Sequence, residues 1–357
     1  TARGARIRLE HLTVAGRDGE APRNLNAVIE PGTVTVLTGR NGAGKSTTLQ
    51  AIAGITAPSS GRVTVAGVDV ADLEPARWWR QLSWLPQRPV LVPGTVDQNL
   101  ALLGELEDPE SACAVSGFDT VLAGLPEGGD TVLGRGGVGL SLGQRQRLGL
   151  ARALGSAADV LLLDEPFGAL DAKVREDLRA WLRRLHDEVH VTTVLVTHDQ
   201  AEALDVADRI AVLNHGRIEQ IGSPTDVYDA PANAFVMSFL GAVSTLNGAL
   251  VRPHDIRVGR NPEMAIAGGD GTAESIGVVR AKVDRVVALG FEVRVELTSA
   301  ATGGFFTAQI TRGDAEALAL RDGDTVYVRA TRVPPIAPTA ADAGRPADED
   351  ENTLTSA

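Results

Sequence analysis

The sequence predicts an α/β nucleotide-binding domain built on a phosphate loop, followed by a small β-rich domain. Three observations predict it. The run Gly39-Arg-Asn-Gly-Ala-Gly-Lys45-Ser46 fits the pattern G-x-x-x-x-G-K-[ST] without a gap. The apolar run Val160-Leu-Leu-Leu163 ends in two acids, Asp164 and Glu165, which places them at the end of a buried parallel strand, where ligands sit. Beyond Gly241 the pattern changes to alternating apolar and charged residues, the period of a half-buried strand.

The phosphate loop has the context that makes such a pattern meaningful. The β-rich run Val34-Thr-Val-Leu37 precedes it, and the helix-like stretch Thr47-Thr-Leu-Gln-Ala-Ile-Ala53 follows. Gly39, Gly42 and Gly44 let the backbone curl so that successive N–H groups face an anion, and Asn41 lies within that nucleotide-binding turn. The helix that begins at Lys45, Ser46 and Thr47 adds its positive end. Lys45 supplies a full charge for β/γ-phosphate oxygens, and the Ser46 hydroxyl can ligate Mg²⁺. The competing reading is a glycine-rich turn before a helix that merely carries Lys and Ser; the strand–loop–helix context disfavours it. Strands near Ile7–Val14, Ala27–Ile29, Val34–Thr38 and Arg62–Val65 are expected to form one mixed core around the nucleotide. Pro58-Ser-Ser-Gly61 reads as a turn.

Downstream, Asp164 is placed to hold Mg²⁺, and Glu165 to polarise an attacking water. Two acids after a strand could equally cap a helix, and only the phosphate loop upstream favours the chemical role. Leu140-Ser141-Leu-Gly143-Gln144 opens a helical stretch through Arg152. Ser141 and Gln144 alone read as a capping box. Trp84-Leu-Pro-Gln87 and Val194-Leu-Val-Thr197-His198-Asp199-Gln200 contribute a lone glutamine and a lone histidine. A capping box from Thr197 to Gln200 would explain the latter.

Taken together and in this order, these motifs resemble the ATP-binding cassette (ABC) ATPases over about residues 5 to 235. The resemblance implies an α/β phosphate-loop ATPase with antiparallel β and helical subdomains, then a small β-barrel regulatory domain. It implies ATP and Mg²⁺, with Ser46, Gln87 and Asp164 near the metal and Gln87 sensing the attacking water. It implies that His198 holds the γ-phosphate. Ser141, Gly143 and Gln144 would face ATP on a second subunit, with Asp171, in Gly168-Ala-Leu-Asp171, crossing between them. Each half-site would then lack donors until an ATP-dependent homodimer or heterodimer closes. The sequence departs from the family in two places. No aromatic residue stands ahead of the loop to stack on adenine, so the base is expected to be held by Val14 or the Arg17 guanidinium, or to be held weakly. Leu142 replaces a usual glycine and is expected to crowd the signature loop.

The resemblance divides along the chain. Up to about residue 160, Trp84-Leu-Pro-Gln-Arg-Pro-Val-Leu-Val-Pro-Gly-Thr95 and Leu125-Pro-Glu-Gly-Gly-Asp130 are similar to exporter ATPase domains, those of cytochrome bd assembly above all. Beyond it, Asp164-Glu-Pro-Phe-Gly-Ala-Leu-Asp171 and Ile221-Gly-Ser-Pro-Thr-Asp-Val-Tyr228 are similar to actinobacterial sulfate/thiosulfate importer ATPases. A chimera joined within residues 160–166 is the expectation. The chain starts at Thr1, which is expected to mark a cut.

The expected domains are an ATPase over 1–238, helical from about 88 to 150; a β-rich regulatory domain of the TOBE or OB type over 239–338; and a disordered acidic tail over 339–357. Val278–Val287, Phe291–Leu297 and Val326–Arg329 supply the strands of the second domain, and Val251-Arg-Pro-His-Asp-Ile256 resembles the start of an importer's regulatory barrel. The net charge of −12 argues against nucleic acid as a partner. No apolar run reaches the ~20 residues of a membrane helix, and no secretory signal precedes the first strand. The single cysteine, Cys113, fits a reducing compartment and reads as a packed thiol. The expected protein is cytoplasmic, peripheral on the inner membrane face, and works with membrane permease subunits. The expected function is ATP hydrolysis coupled to sulfate or thiosulfate import. The alternatives are an exporter ATPase for thiols, and a nucleotide-dependent dimerisation module with little turnover.

Overall fold

The computed structural model of the chain describes residues 4–16, 19–168, 170–266, 277–334 and 336. It divides into two compact units, one up to Thr225 and one from Asp226. The helix Ala234–Phe239 thus falls in the second unit. The expected acidic tail over 339–357 lies outside the described residues.

In the first unit six strands form the central sheet. Their order is Arg217–Gly222, Arg209–Asn214, Val34–Gly39, Thr192–Val196, Val160–Asp164 and Leu82–Leu85. Neighbours run parallel except at the outer strand Arg217–Gly222. Val34–Gly39, Thr192–Val196 and Val160–Asp164 are buried at every position. Strands covered on both faces favour apolar and β-branched residues, and these strands supply them, with the Val160–Leu163 run apolar throughout and Thr35, Thr38, Thr192 and Thr193 buried in the other two. Because they are parallel and in register, Leu37, Val196 and Asp164 lie side by side, and the loops that follow converge on one edge.

A second sheet is antiparallel, in the order Leu25–Ile29, Ile7–Thr13, Ser60–Val65 and Val68–Asp69. The strands expected to form one mixed core therefore belong to two sheets, with only Val34–Gly39 in the central one. The alternation of buried Ile7 and Leu9 with exposed Arg8 carries the physical reason: one face packs and the other meets solvent. Both sheets share a core in which Ile7 and Leu12 join Leu49, Ile52, Leu162 and Val194.

Residues 88–150 are mostly helical, with Val96–Leu100, Pro109–Ser116, Phe118–Gly124 and the start of Leu142–Leu154. A small two-stranded ribbon, Gly94–Thr95 with Val132–Leu133, interrupts them. Cys113 is buried in their own apolar cluster with Phe118 and Leu148. Burial pushes its thiol pKa up, as suits a packed rather than a reactive cysteine.

The second unit holds a five-stranded antiparallel sheet. Its order is Ile256–Gly259, Thr325–Ala330, Val279–Leu289, Glu292–Ser299 and Phe305–Thr311. Val279, Ala281 and Val283 point inward while Arg280 and Lys282 are exposed. The end strands Ile256–Gly259 and Phe305–Thr311 also approach each other, so the sheet curls on itself. Buried Arg252 fastens the preceding helix: its Nη1 donates to Met237 O at 2.9 Å, and its guanidinium lies 4.1 Å from the Tyr228 ring centre. No helix among the described residues is long and apolar enough to cross a membrane.

Candidate functional site

The site grows from the converging edge of the central sheet. Gly39 ends one strand with φ 143°, and Gly44 starts the next helix with φ 89°. A Cβ at Gly39 would overlap the Leu213 carbonyl, and one at Gly44 would overlap the Ala21–Pro22 backbone. Only glycine fits either position. A Cβ at Gly42 would meet open space, but its φ of 77° still favours glycine. No side chain caps the helix Lys45–Ile52, so its first-turn N–H groups and its dipole suit a phosphate. Lys45 is buried, and its Nζ donates to Gly39 O at 2.8 Å and Arg40 O at 3.0 Å. Burial lowers its pKa, and Glu165 and Asp164 oppose that shift.

Ser46 Oγ donates to Asp164 Oδ1 at 3.0 Å. Asp164 is 4% exposed, and its pKa is raised by burial, against the Ser46 hydrogen bond that lowers it. A hydroxyl beside a carboxylate is the all-oxygen donor set that a hard divalent cation such as Mg²⁺ takes.

Glu165 stands at the hub. Its Oε2 accepts from Gln87 Nε2 at 3.1 Å, and its Oε1 lies 3.1 Å from His198 Nδ1. Its backbone is left-handed, φ 53°, a conformation that costs a side-chain-bearing residue roughly 1–2 kcal/mol. The Glu165 N–H, which donates to Val196 O at 2.9 Å, anchors it there. Non-glycine residues held this way concentrate at functional sites. The structure thus brings together Lys45, Ser46, Gln87, Asp164, Glu165 and His198.

Ser141, Gln144 and Asp171 are bonded elsewhere. Ser141 Oγ accepts from Gln144 N at 3.3 Å and Gln144 Oε1 accepts from Ser141 N at 2.8 Å, a full capping box on the helix Leu142–Leu154. Gly143 sits in that helix's first turn. Leu142 is 68% exposed, so its side chain stands at the surface of the signature loop. Asp171 accepts from Val174 N at 3.0 Å and from Arg147 Nη2 at 2.7 Å.

Val14 is 2% exposed and packs in the core with Leu12, so it offers no surface to adenine. Arg17 lies outside the described residues. The helix after His198 is capped by Asp199, which accepts from Glu202 N at 2.9 Å, and not by a Thr197–Gln200 box. Two supporting residues escaped the sequence reading. Gln146 is buried and its Nε2 donates to Gln87 O at 3.2 Å; Arg147 ties the same helix to Asp171. The available signal was Gln146 sharing a helical stripe with Gly149, Leu150 and Ala153, where a buried polar side chain must find a partner.

Known proteins bear on this geometry. A family profile described as ABC transporter matches residues 22–168, and one described as TOBE-like domain matches residues 273–331. The sulfate/thiosulfate import ATP-binding protein CysA of Mycolicibacterium paratuberculosis is 65% identical over 339 residues, covering 94% of this chain and 92% of that protein. The protein of the same name from Nocardia farcinica is 60% identical over 307 residues, covering 86% and 92%. Among solved structures, a bacterial Atm1-family ABC exporter with ATP bound aligns with TM-score 0.59 and 28% identity. That alignment covers 64% of this chain and 40% of the exporter chain. The long match to the first relative runs through residues 160–166, which overturns the expected chimera. The strand Val160–Asp164 agrees: it pairs in unbroken register with Leu82–Leu85 on one side and Thr192–Val196 on the other.

Proposed function

The chain belongs to the ABC transporter ATP-binding proteins, and from that premise we propose that it hydrolyses ATP to drive sulfate or thiosulfate import through separate membrane permease subunits. The observation that carries the hydrolytic part is Glu165, its two oxygens bonded by Gln87 and His198 beside the Lys45–Ser46–Asp164 group. Support for the substrate comes from the relatives named for sulfate/thiosulfate import, which match this chain over nearly their whole length.

In this reading the loop from Gly39 to Thr47, with Asn41 in its turn, cradles the phosphates. Ser46 and Asp164 would hold Mg²⁺, with Gln87 beside them; when bound, the ion would supply positive charge against the phosphates. Glu165 accepts the proton of the attacking water. His198 faces the γ-phosphate and keeps Glu165 aimed. Ser141, Gly143 and Gln144, with Asp171, face the nucleotide of a second subunit, so ATP closes a dimer. The protein works at the cytoplasmic face of the membrane, against its permease partners.

Glu165→Gln tests the chemistry. It preserves size and a hydrogen-bonding oxygen but removes the base. ATP hydrolysis is expected to fall by about 10²–10⁴-fold, the range for a lost general base, while ATP affinity holds. Equal turnover in the variant and the wild type would remove Glu165 from the reaction.

A further inference from the structure

Glu202 is a buried carboxylate, 5% exposed, on the helix that follows His198. Its Oε2 accepts from Thr197 Oγ1 at 2.6 Å, the length of a charge-assisted bond. Thr197 Oγ1 in turn accepts from Asp199 N at 3.0 Å, and Thr197 O accepts from Thr38 Oγ1 at 2.8 Å. Asp199 Oδ1 accepts from Glu202 N at 2.9 Å. The residues on both sides of His198 are therefore fixed, and the carboxylate of Glu202 sets the orientation of the hydroxyl that fixes them. On its other side, Glu202 Oε1 forms an ion pair with Arg175 Nε at 3.6 Å, and Arg175 Nη2 donates to Leu170 O at 3.2 Å, next to Asp171.

We propose that Glu202 is a positioning residue for His198, acting through Thr197, and that Arg175 links it to the Leu170–Asp171 turn. The proposal rests on the reading of His198 and Glu165 as hydrolytic residues. The bonds continue beyond it. Asp171 is held by Arg147, and Gln146, next to Arg147 on the signature helix, holds the backbone of Gln87. Gln87 and His198 then meet on the two oxygens of Glu165. A displacement of the signature helix can thus reach Glu165 from both sides, and Glu202 is the buried anchor of the His198 side. Its charge has a reason to be there: an uncharged residue of that size would pack without the cost of burying a carboxylate.

The test reads single-turnover ATP hydrolysis and fluorescent-nucleotide affinity in the full chain. Thr197→Val keeps the shape of a buried, β-branched side chain and removes only the hydroxyl. Hydrolysis should fall on the order of tenfold, the size of couplings within one hydrogen-bonded network, with affinity unchanged. Thr197→Ser should restore the rate. Glu202→Leu should slow hydrolysis similarly, and the double variant should be no slower than either single one. In a His198→Ala background, Thr197→Val should cause no further loss. An equal factor in both backgrounds, or a wild-type rate in Thr197→Val, overturns the proposal. A wild-type rate in His198→Ala alone removes the hydrolytic reading itself, and the positioning role with it.

Discussion

The Glu165 cluster and the signature loop satisfy their polar groups in opposite ways. In the cluster, side chains from four separate segments bond one another: Ser46 with Asp164, and Glu165 with Gln87 and His198. In the signature loop, Ser141 and Gln144 bond only across one helical turn, at an exposed helix start. The first arrangement is fixed by tertiary packing and is complete within one chain. The second holds its shape without help and presents a helix N-terminus outward, which suits a surface that waits for a partner. A capping box and a phosphate-sensing loop are compatible descriptions of the same residues: the cap fixes the turn, and the turn leaves the helix start exposed.

The largest break in nucleotide binding is expected at Lys45. Lys45→Ala removes two charge-assisted bonds to the loop and the only ammonium among the cluster residues. ATP affinity should weaken by about 10–10²-fold, as for the loss of a charged hydrogen bond at 1.5–3 kcal/mol. Isothermal titration with Mg-ATP reads this, and undiminished affinity would show that Lys45 does not touch phosphate. The next effect tests the other region. In a Glu165→Gln background with Mg-ATP, gel filtration is expected to show a dimer that Ser141→Arg abolishes, with ATP binding to the monomer spared. If the dimer persists, the signature loop is a helix cap alone. Ser141→Ala sharpens the contrast by removing the cap without adding bulk. It should cost about 1 kcal/mol of stability, as N-cap losses do, read as a lower melting temperature.

The smallest effects lie in pH dependence and have opposite signs in the two regions. Burial raises the pKa of Asp164. Its contribution to stability is therefore present at pH below the ordinary carboxylate range and lost as pH rises through the raised value. Asp164→Asn should thus raise the melting temperature of the nucleotide-free protein at neutral pH, and the gain should vanish on acidification. Asp171 is shifted down, first by the Val174 N–H bond and then by Arg147. Its contribution is present above the ordinary carboxylate range and lost as pH falls through the lowered value. Asp171→Asn should therefore cost stability at neutral pH and nothing in acid. Melting curves that shift in the same direction for both variants would contradict this contrast.

Much of the cluster was legible in the sequence because each part announces itself locally. The glycine pattern before Lys45 and the unbroken apolar run before Asp164 each follow from a backbone requirement that only a few residues meet. What supports the cluster was less legible. The buried stripe that holds Gln146 signals a need for a partner but does not identify Gln87, which lies far away in sequence; Arg147 likewise reaches a distant partner, Asp171, and the bond of Glu202 to nearby Thr197 depends on how the turn at His198 folds. Val14 failed for a different reason. The strand Ile7–Thr13 alternates until its register shifts between Leu9 and Leu12, beside His11 at φ 52°. After that shift Leu12, Thr13 and Val14 are all buried, which a period of two does not anticipate. The expected junction near residue 160 was a matter of style between stretches of sequence, and the pairing of the strand Val160–Asp164 with both neighbours runs through it unbroken.

The left-handed backbone at Glu165 also bears on how this protein can be engineered. Screens for thermostability reward whatever relieves an unfavourable conformation, and here the relief is glycine or asparagine at the position of the base. Selection for heat resistance alone would thus favour sturdy but inert variants. A stabilised version that still turns over must be selected on both traits at once.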